Sequence, residues 1–283
     1  ITWRYTSGSY GQRWSLDQDF VKTYLNLDGS RHTATGEEFT TEVENRDYRL
    51  SQSIITPGYT KLVGGISTAT PPDFTVTLTG YQVIKFNIDD KAYESASVSY
   101  NSLLRPNYAE AKAELGEFSD DIWNKTIKPL RERAGVDGKR PTSADPYLQQ
   151  YYGLSDSDLL EIRRERAIEL LLEGFRYDDL MRWHAGELLN KQWYGIYIPA
   201  MDTSYDLNGD GINDVCVTSG EAGNEPGVTY IILDNSKYSL ENGTTGRLLY
   251  TVGRNFEEKR YLRPIPKTAL NINPDLGQNY YWR

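Results

Sequence analysis

The chain has 283 residues, with 31 Lys and Arg against 40 Asp and Glu and a formal charge of −9. That length suffices for a buried core in one large domain or two ordinary ones, and a pI near 4.9 excludes the clustered cations that a nucleic-acid backbone needs. A single cysteine, Cys216, excludes an intramolecular disulfide and a Cys-based zinc cluster, and no apolar run approaches the ~18 residues of a membrane span.

Residues 1–15 form a polar aromatic stretch, with Trp3, Tyr5, Tyr10 and Trp14 spaced by Gly, Ser and Thr, and read as loop. From Ser15 the spacing predicts a helix. Ser15 can cap it, Leu16, Phe20, Tyr24 and Leu27 recur at helical spacing, and Asp28-Gly29 stops it. Residues 30–100 are short-strand and turn territory, punctuated by Pro57-Gly58, Gly64-Gly65 and Pro71-Pro72. Within it, Phe74 to Thr79 alternates apolar residues with Thr and predicts a strand; Tyr81 to Ile88 predicts a second. Two helices are expected over 103–135. One runs from Leu104 to Leu115 and stops at Gly116, and one is opened by Ser119 and is kinked or split by Pro129. The strongest helical signal is 154–184. Ser155 and Asp158 make a capping box, Leu154 and Leu159 a hydrophobic staple, and Ile168, Leu171, Leu172 and Phe175 an apolar stripe. Exposed pairs of opposite charge are expected for Glu161 with Arg164, Arg166 with Glu169, Glu173 with Arg176 and Asp178 with Arg182. Gly174 breaks this region into two helices, with Leu171 and Phe175 buried between them. After Asn190 the chain returns to loops and strands.

The segment Asp206-Leu-Asn208-Gly-Asp210-Gly-Ile212-Asn-Asp214 is the sharpest chemical signal. Oxygen ligands at loop positions 1, 3 and 5 converge on one Ca²⁺ when a Gly at position 6 allows the sharp turn. Ile212 would add a backbone carbonyl and Asp214 a ligand directly or through water. Position 12 holds Val217 in place of the bidentate acid, and Asp202 or Glu221 would have to compensate. These residues equally favour a plain Asx-rich turn. No organic cofactor is implied. Trp3, Tyr5, Tyr10 and Trp14 suggest a platform on which sugar faces stack, against the plainer reading of half-buried packing. Trp193, Tyr194 and Tyr197 look strand-borne, and packing is the expected job. His32 and His184 are distant in sequence, and no nucleophile elbow, HExxH, P-loop or dinucleotide fingerprint occurs. The acid pairs Asp89-Asp90, Asp178-Asp179 and Glu257-Glu258 are read as solvated charge, not as glycosidase carboxylates.

Several segments together resemble the SusD/RagB family. Ile162-Arg-Arg-Glu-Arg-Ala-Ile-Glu169, continuing through Glu173-Gly174-Phe-Arg176-Tyr177-Asp-Asp179-Leu180-Met-Arg182-Trp183, is similar to the family's R-R-x-E-L-x-x-E-G-x-R-Y-x-D-L-x-R-W helix pair. Tyr108 to Gly116 resembles its Y-A-E-A-x-x-E-L-G helix, and Ile127 to Val136 its L-R-x-R-A-G stretch. Phe20 to Gly29, Asp47-Tyr48-Arg49-Leu50 (Tyr where Pro is usual) and the Pro264-Ile265-Pro266 to Asn279 ending follow the family's order. The resemblance implies a mainly α fold, a tetratricopeptide-like helical scaffold with irregular loops and short β-strand insertions. It treats 1–283 as one domain, with helices near 15–28, 103–135 and 154–190, and covers the family's C-terminal half. It implies non-catalytic binding of a glycan at the bacterial cell surface and its delivery to a SusC-like TonB-dependent outer-membrane transporter. Membrane association would come only through a lipid anchor in the N-terminal part, which this sequence does not contain. A peptide ligand and a glycoside hydrolase are the alternatives. The Arg, Glu and Asp residues of 161–182 are expected to be scaffold.

Overall fold

A computed structural model gives the architecture and describes residues 14–90, 105–234, 237–251 and 253–282. The chain folds into two compact units, Ile1–Leu170 with Gln192–Val252, and Leu171–Lys191 with Gly253–Arg283. A helical scaffold with short strands matches the expected class.

Among the described residues, the first helix of the first unit is a single turn, α1 (Gln18–Val21), in place of the longer helix expected from Ser15. Asp17 is its cap, Oδ1 accepting from Phe20 N at 2.8 Å, whereas Ser15 Oγ accepts from Leu78 N at 2.8 Å. Leu16 and Tyr24 are buried all the same, so an irregular chain satisfies the apolar spacing. Two short helices follow, α2 (Phe39–Glu42) and α3 (Tyr48–Ser53), then a hairpin of β1 (Thr60–Val63) and β2 (Ile66–Ala69). Gly64 and Gly65 turn it with φ of +61° and +82°, a left-handed pair that side chains disfavour. The strand expected at 74–79 is a turn, because Val76 and Thr77 both donate their N–H to Asp73 O at 2.8 Å. Its threonines bond to a loop: Thr79 Oγ1 donates to Leu16 O at 2.6 Å, and Thr77 Oγ1 meets Ser15 Oγ at 2.9 Å. The strand expected at 81–88 is reduced to isolated bridges, Gln82 with Ser15 and Val83 with Ile54.

Five helices then build the scaffold: α4 (Arg105–Glu114), α5 (Asp120–Lys125), α6 (Ile127–Arg133), α7 (Pro146–Tyr152) and α8 (Ser157–Glu169). Ser119 caps α5 as expected. The split before α6 falls at Thr126, and Pro129 lies in the first turn of α6, where its missing N–H has no intrahelical role. Ala109, Trp123, Ile127 and Ile162 pack together, which joins α4, α5, α6 and α8. Trp123 Nε1 donates to Gly138 O at 2.8 Å, so the buried indole is satisfied. The cap of α8 is Asp156, Oδ1 accepting from Leu159 N at 2.9 Å, one residue after the expected Ser155.

The expected exposed charge pairs of α8 are corrected. Every residue from Leu160 to Glu169 is buried, so this helix is enclosed on all sides: the expected pair Glu161 with Arg164 forms at 2.9 Å but buried, and other charges of the helix find partners on other elements.

Strands of the first unit complete it. β3 (Trp193–Ile198) and β8 (Gly246–Tyr250) pair antiparallel, with β7 (Tyr238–Leu240) on the other side of β8. β4 (Ser204–Tyr205) pairs antiparallel with β5 (Val215–Thr218), and β5 parallel with β6 (Thr229–Ile232). Gly195 is required by contact: a Cβ there would stand 2.4 Å from Thr79 O, whose partner is Ile196 N at 2.8 Å.

In the second unit, α9 (Arg176–Arg182) follows Gly174, as the breaker implied. Leu171 is buried at 8% exposure, but Phe175 is 36% exposed, so the apolar stripe ends before the second helix. Arg182 pairs with Asp179 at 2.9 Å, one residue on from the expected Asp178. Short 3-10 turns at Gly186–Asn190 and Glu258–Tyr261 and a last helix, α10 (Lys267–Ile272), complete the unit.

Candidate functional site

Three chemical groupings stand out, and the first is scaffold. Glu165 accepts from Arg131 Nε at 2.7 Å and from Arg49 Nη2 at 2.9 Å. Arg131 also bonds to Glu161, which holds Arg164 at 2.9 Å, and Arg164 reaches Asp145. Arg49 is chelated by Asp47 at 2.6 Å and lies 3.4 Å from Glu169, which pairs with Arg133 at 2.5 Å. Residues from the family-like segments at 47–50, 127–136 and 162–169, with Glu161 and Asp145, thus meet in one ion network that is buried except at the exposed Arg133. Burial opposes ionisation of Glu165. The guanidinium groups of Arg49 and Arg131 outweigh it and bring its carboxyl from 4.5 down to about 2. A second buried trio joins Glu42, Tyr81 and Arg247. Tyr81 donates its hydroxyl to Glu42 Oε2 at 2.6 Å, and Arg247 lies 2.9 Å from Oε1.

The second grouping is the Asp-rich loop. Asp206 accepts from Asn208 N, Gly209 N and Gly211 N at 3.1, 2.7 and 2.7 Å. Asn208 Oδ1 accepts from Asp210 N at 2.9 Å, Asp210 Oδ1 from Ile212 N at 2.8 Å, and Asp214 Oδ2 from Leu207 N at 2.7 Å. The side chains therefore wrap their own backbone, the Asx pattern. Among the described residues no group of three or more His, Cys, Asp or Glu is placed to hold a metal ion. The carboxyl of Asp214 is nevertheless pushed up, first by burial and then by the charges of Asp206 and Asp210, so the loop carries crowded negative charge.

The third grouping is aromatic. Trp3, Tyr5 and Tyr10 lie outside the described residues. Trp14 is half-buried, and its carbonyl accepts from Val83 N at 3.2 Å. Another row forms across the three-stranded sheet. Cross-strand partners share a face, and Tyr250 is the register partner of both Trp193 and Tyr238. The Trp193 and Tyr250 rings stack at 6.2 Å and 25°, and Tyr238 meets Tyr250 edge-on at 5.2 Å. All three rings are half-buried. Lys237 Nζ lies 5.3 Å from the Tyr238 centroid and 5.8 Å from that of Tyr250. Burial, then Tyr250, raises the Tyr238 phenol to about 12, which keeps it a neutral donor at pH 7. Gln192 Nε2 donates to Trp193 O and Tyr250 O at 3.1 and 2.8 Å and pins the end of the row. Sequence grouping placed Trp193 with Tyr194 and Tyr197. Only strand pairing brings it beside Tyr238 and Tyr250, which no local spacing announces.

The candidate acid pairs are engaged. Asp89 accepts from Tyr59 at 2.8 Å, Glu257 holds Lys259 at 2.9 Å, and Glu258 lies 3.2 Å from His184. His32 Nε2 is 2.9 Å from Glu37.

The profile of the SusD family matches residues 4–282. Among solved structures, a SusD-like protein from Bacteroides fragilis superposes with a TM-score of 0.61 at 19% identity, covering 99% of this chain and 49% of that one. A SusD-like carbohydrate binding protein from the same organism gives 0.54 at 22% identity, covering 92% and 47%. The chain thus spans about half the length of these solved relatives. No curated protein matches it.

Proposed function

The chain belongs to the SusD family, and from that membership we propose that it binds a glycan without transforming it and hands it to a SusC-like TonB-dependent transporter at the outer membrane of the cell. The helices pair in tetratricopeptide fashion on this reading, and attachment to the membrane is through a lipid anchor. Among the described residues no helix is long and apolar enough to cross a membrane. One solved relative is described as carbohydrate binding.

The observation that carries the glycan reading is the row Trp193, Tyr250 and Tyr238. Flat rings with few torsions lose little entropy on binding, and phenols and an ammonium beside them supply partners for sugar hydroxyls. Trp3, Tyr5, Tyr10 and Trp14 are proposed as a further stacking group. Ca²⁺ is proposed as a structural ion at Asp206, Asn208, Asp210, Ile212 and Asp214, where it would neutralise the crowded carboxylates.

A glycan array followed by titration of the bound glycan tests this. Trp193→Ala or Tyr250→Ala should weaken binding by roughly thirtyfold, the loss typical of a truncated hot-spot ring at ~2 kcal/mol. Trp3→Ala and Trp14→Ala test the other group. Parent-like binding by all four variants would refute both platforms.

A further inference from the structure

An open surface cavity of about 380 Å³ lies on the second unit, lined by Tyr177, Leu189, Arg254, Asn255, Phe256 and Arg260. Its aromatic wall is fixed. Asn190 clamps the Phe256 backbone from both sides, accepting from Phe256 N at 2.5 Å and donating to Phe256 O at 3.3 Å. The Phe256 ring meets Tyr261 edge-on at 4.9 Å. Gly186 lets the ring approach, since a Cβ there would stand 2.2 Å from it, and Gly186 N donates to the Tyr261 hydroxyl at 2.8 Å.

The charge around this wall is positive in a chain that is negative overall. The second unit holds nine Lys and Arg against seven Asp and Glu, while the whole chain stands at −9. Glu257 pairs with Lys259 at 2.9 Å, and Glu258 lies 3.2 Å from His184. Arg260 is 4.0 Å from Glu257, the outer limit of an ion pair. Two guanidinium groups in one cavity fit a planar carboxylate or a sulfate, to which they donate in pairs. The ring of Phe256 offers a flat apolar face, and the Asn255 amide can donate to or accept from hydroxyls.

We propose that this cavity binds an acidic sugar unit, its carboxylate or sulfate on Arg254 and Arg260 and its ring against Phe256. The inference rests on the glycan-binding reading and narrows it to an anionic polymer. Calorimetric titration of the full chain tests it with three probes: a galacturonate oligosaccharide, its neutral methyl ester and a sulfated galactan oligosaccharide. One or both acidic probes should bind, more weakly as salt rises. Arg254→Gln and Arg260→Gln should each weaken that binding by roughly tenfold with unchanged melting temperature, both residues being exposed. Which acidic probe binds separates carboxylate from sulfate. Acidic binding that survives both substitutions, or affinity no tighter than for the methyl ester, overturns the inference, as does failure of both acidic probes. Retained binding of a neutral glycan in those cases leaves the parent reading standing, and its loss removes that too.

Discussion

Glu165 shows how one side chain ties distant segments together. It lies on α8 and neutralises Arg131 of α6 and Arg49 of α3, all three almost wholly buried. Such a group is costly to desolvate, and removing one partner leaves an uncompensated charge, which typically costs ~3–5 kcal/mol. Arg131→Met should therefore destabilise the fold by that order in a denaturant titration. A loss below ~1 kcal/mol would mean that water reaches the site. The pH dependence has a definite sign. The folded carboxyl titrates at about 2 against 4.5 for the free group, so the native state binds fewer protons between those values and stability falls with pH there. Its contribution, on the order of 3 kcal/mol from ~1.36 per unit, is present above about 4.5 and lost as pH drops toward 2. Glu165→Gln should flatten that acid limb; an unchanged slope from pH 5 to 2 would assign acid sensitivity elsewhere.

At the level of elements, several stops and one start were legible because caps act over three or four residues, whereas Asp17 and Asp156 cap where Ser15 and Ser155 were expected. Ser119, Gly116 and Gly174 did the work their chemistry implies. Strands were less so. The alternation of Phe74 to Thr79 had no neighbouring strand to pair with, and its hydroxyls bonded to the 15–16 segment instead. The stripe of 168–175 divides in the structure, and two truncations should report it. Leu171→Ala should cost ~2–5 kcal/mol as a core deletion, whereas Phe175→Ala should stay near the ~0.5 kcal/mol of a surface change. Equal losses would place Phe175 in the core. For the Asp-rich loop, the raised Asp214 carboxyl means that its ionisation works against folding as pH rises above the ordinary value of 3.8. A divalent cation reverses that by binding the ionised form. Millimolar Ca²⁺ at pH 7 should then raise the melting temperature and chelator lower it, with Asp210→Asn reducing the response. A curve indifferent to both leaves the loop as backbone-capping turns.

For the whole molecule, the family-like segments were readable in sequence because their charged residues have spacings fixed by the buried network they form. Arg131, Glu161, Glu165 and Arg49 are far apart in the chain, and no local pattern could reveal that they meet. The candidate site was less legible for the same reason: Trp193, Tyr238 and Tyr250 become neighbours only through strand register. This arrangement also bears on catalysis. Glycoside hydrolysis requires two carboxyl groups facing one another across the bond to be cleaved, about 5–9.5 Å apart, one of them protonated. The buried acids Glu161, Glu165 and Glu42 are each held by guanidinium groups, and the ionised Glu165 cannot serve as a proton donor near neutral pH. On the proposed reading, the rings, amide and ammonium of the platform would bind hydroxylated faces without an acid–base step. Incubating the chain with a glycan it binds should therefore yield a complex of fixed stoichiometry and no new reducing ends over many hours. Steady release of reducing ends, proportional to protein concentration and abolished by one Asp or Glu substitution, would overturn the binding-only reading.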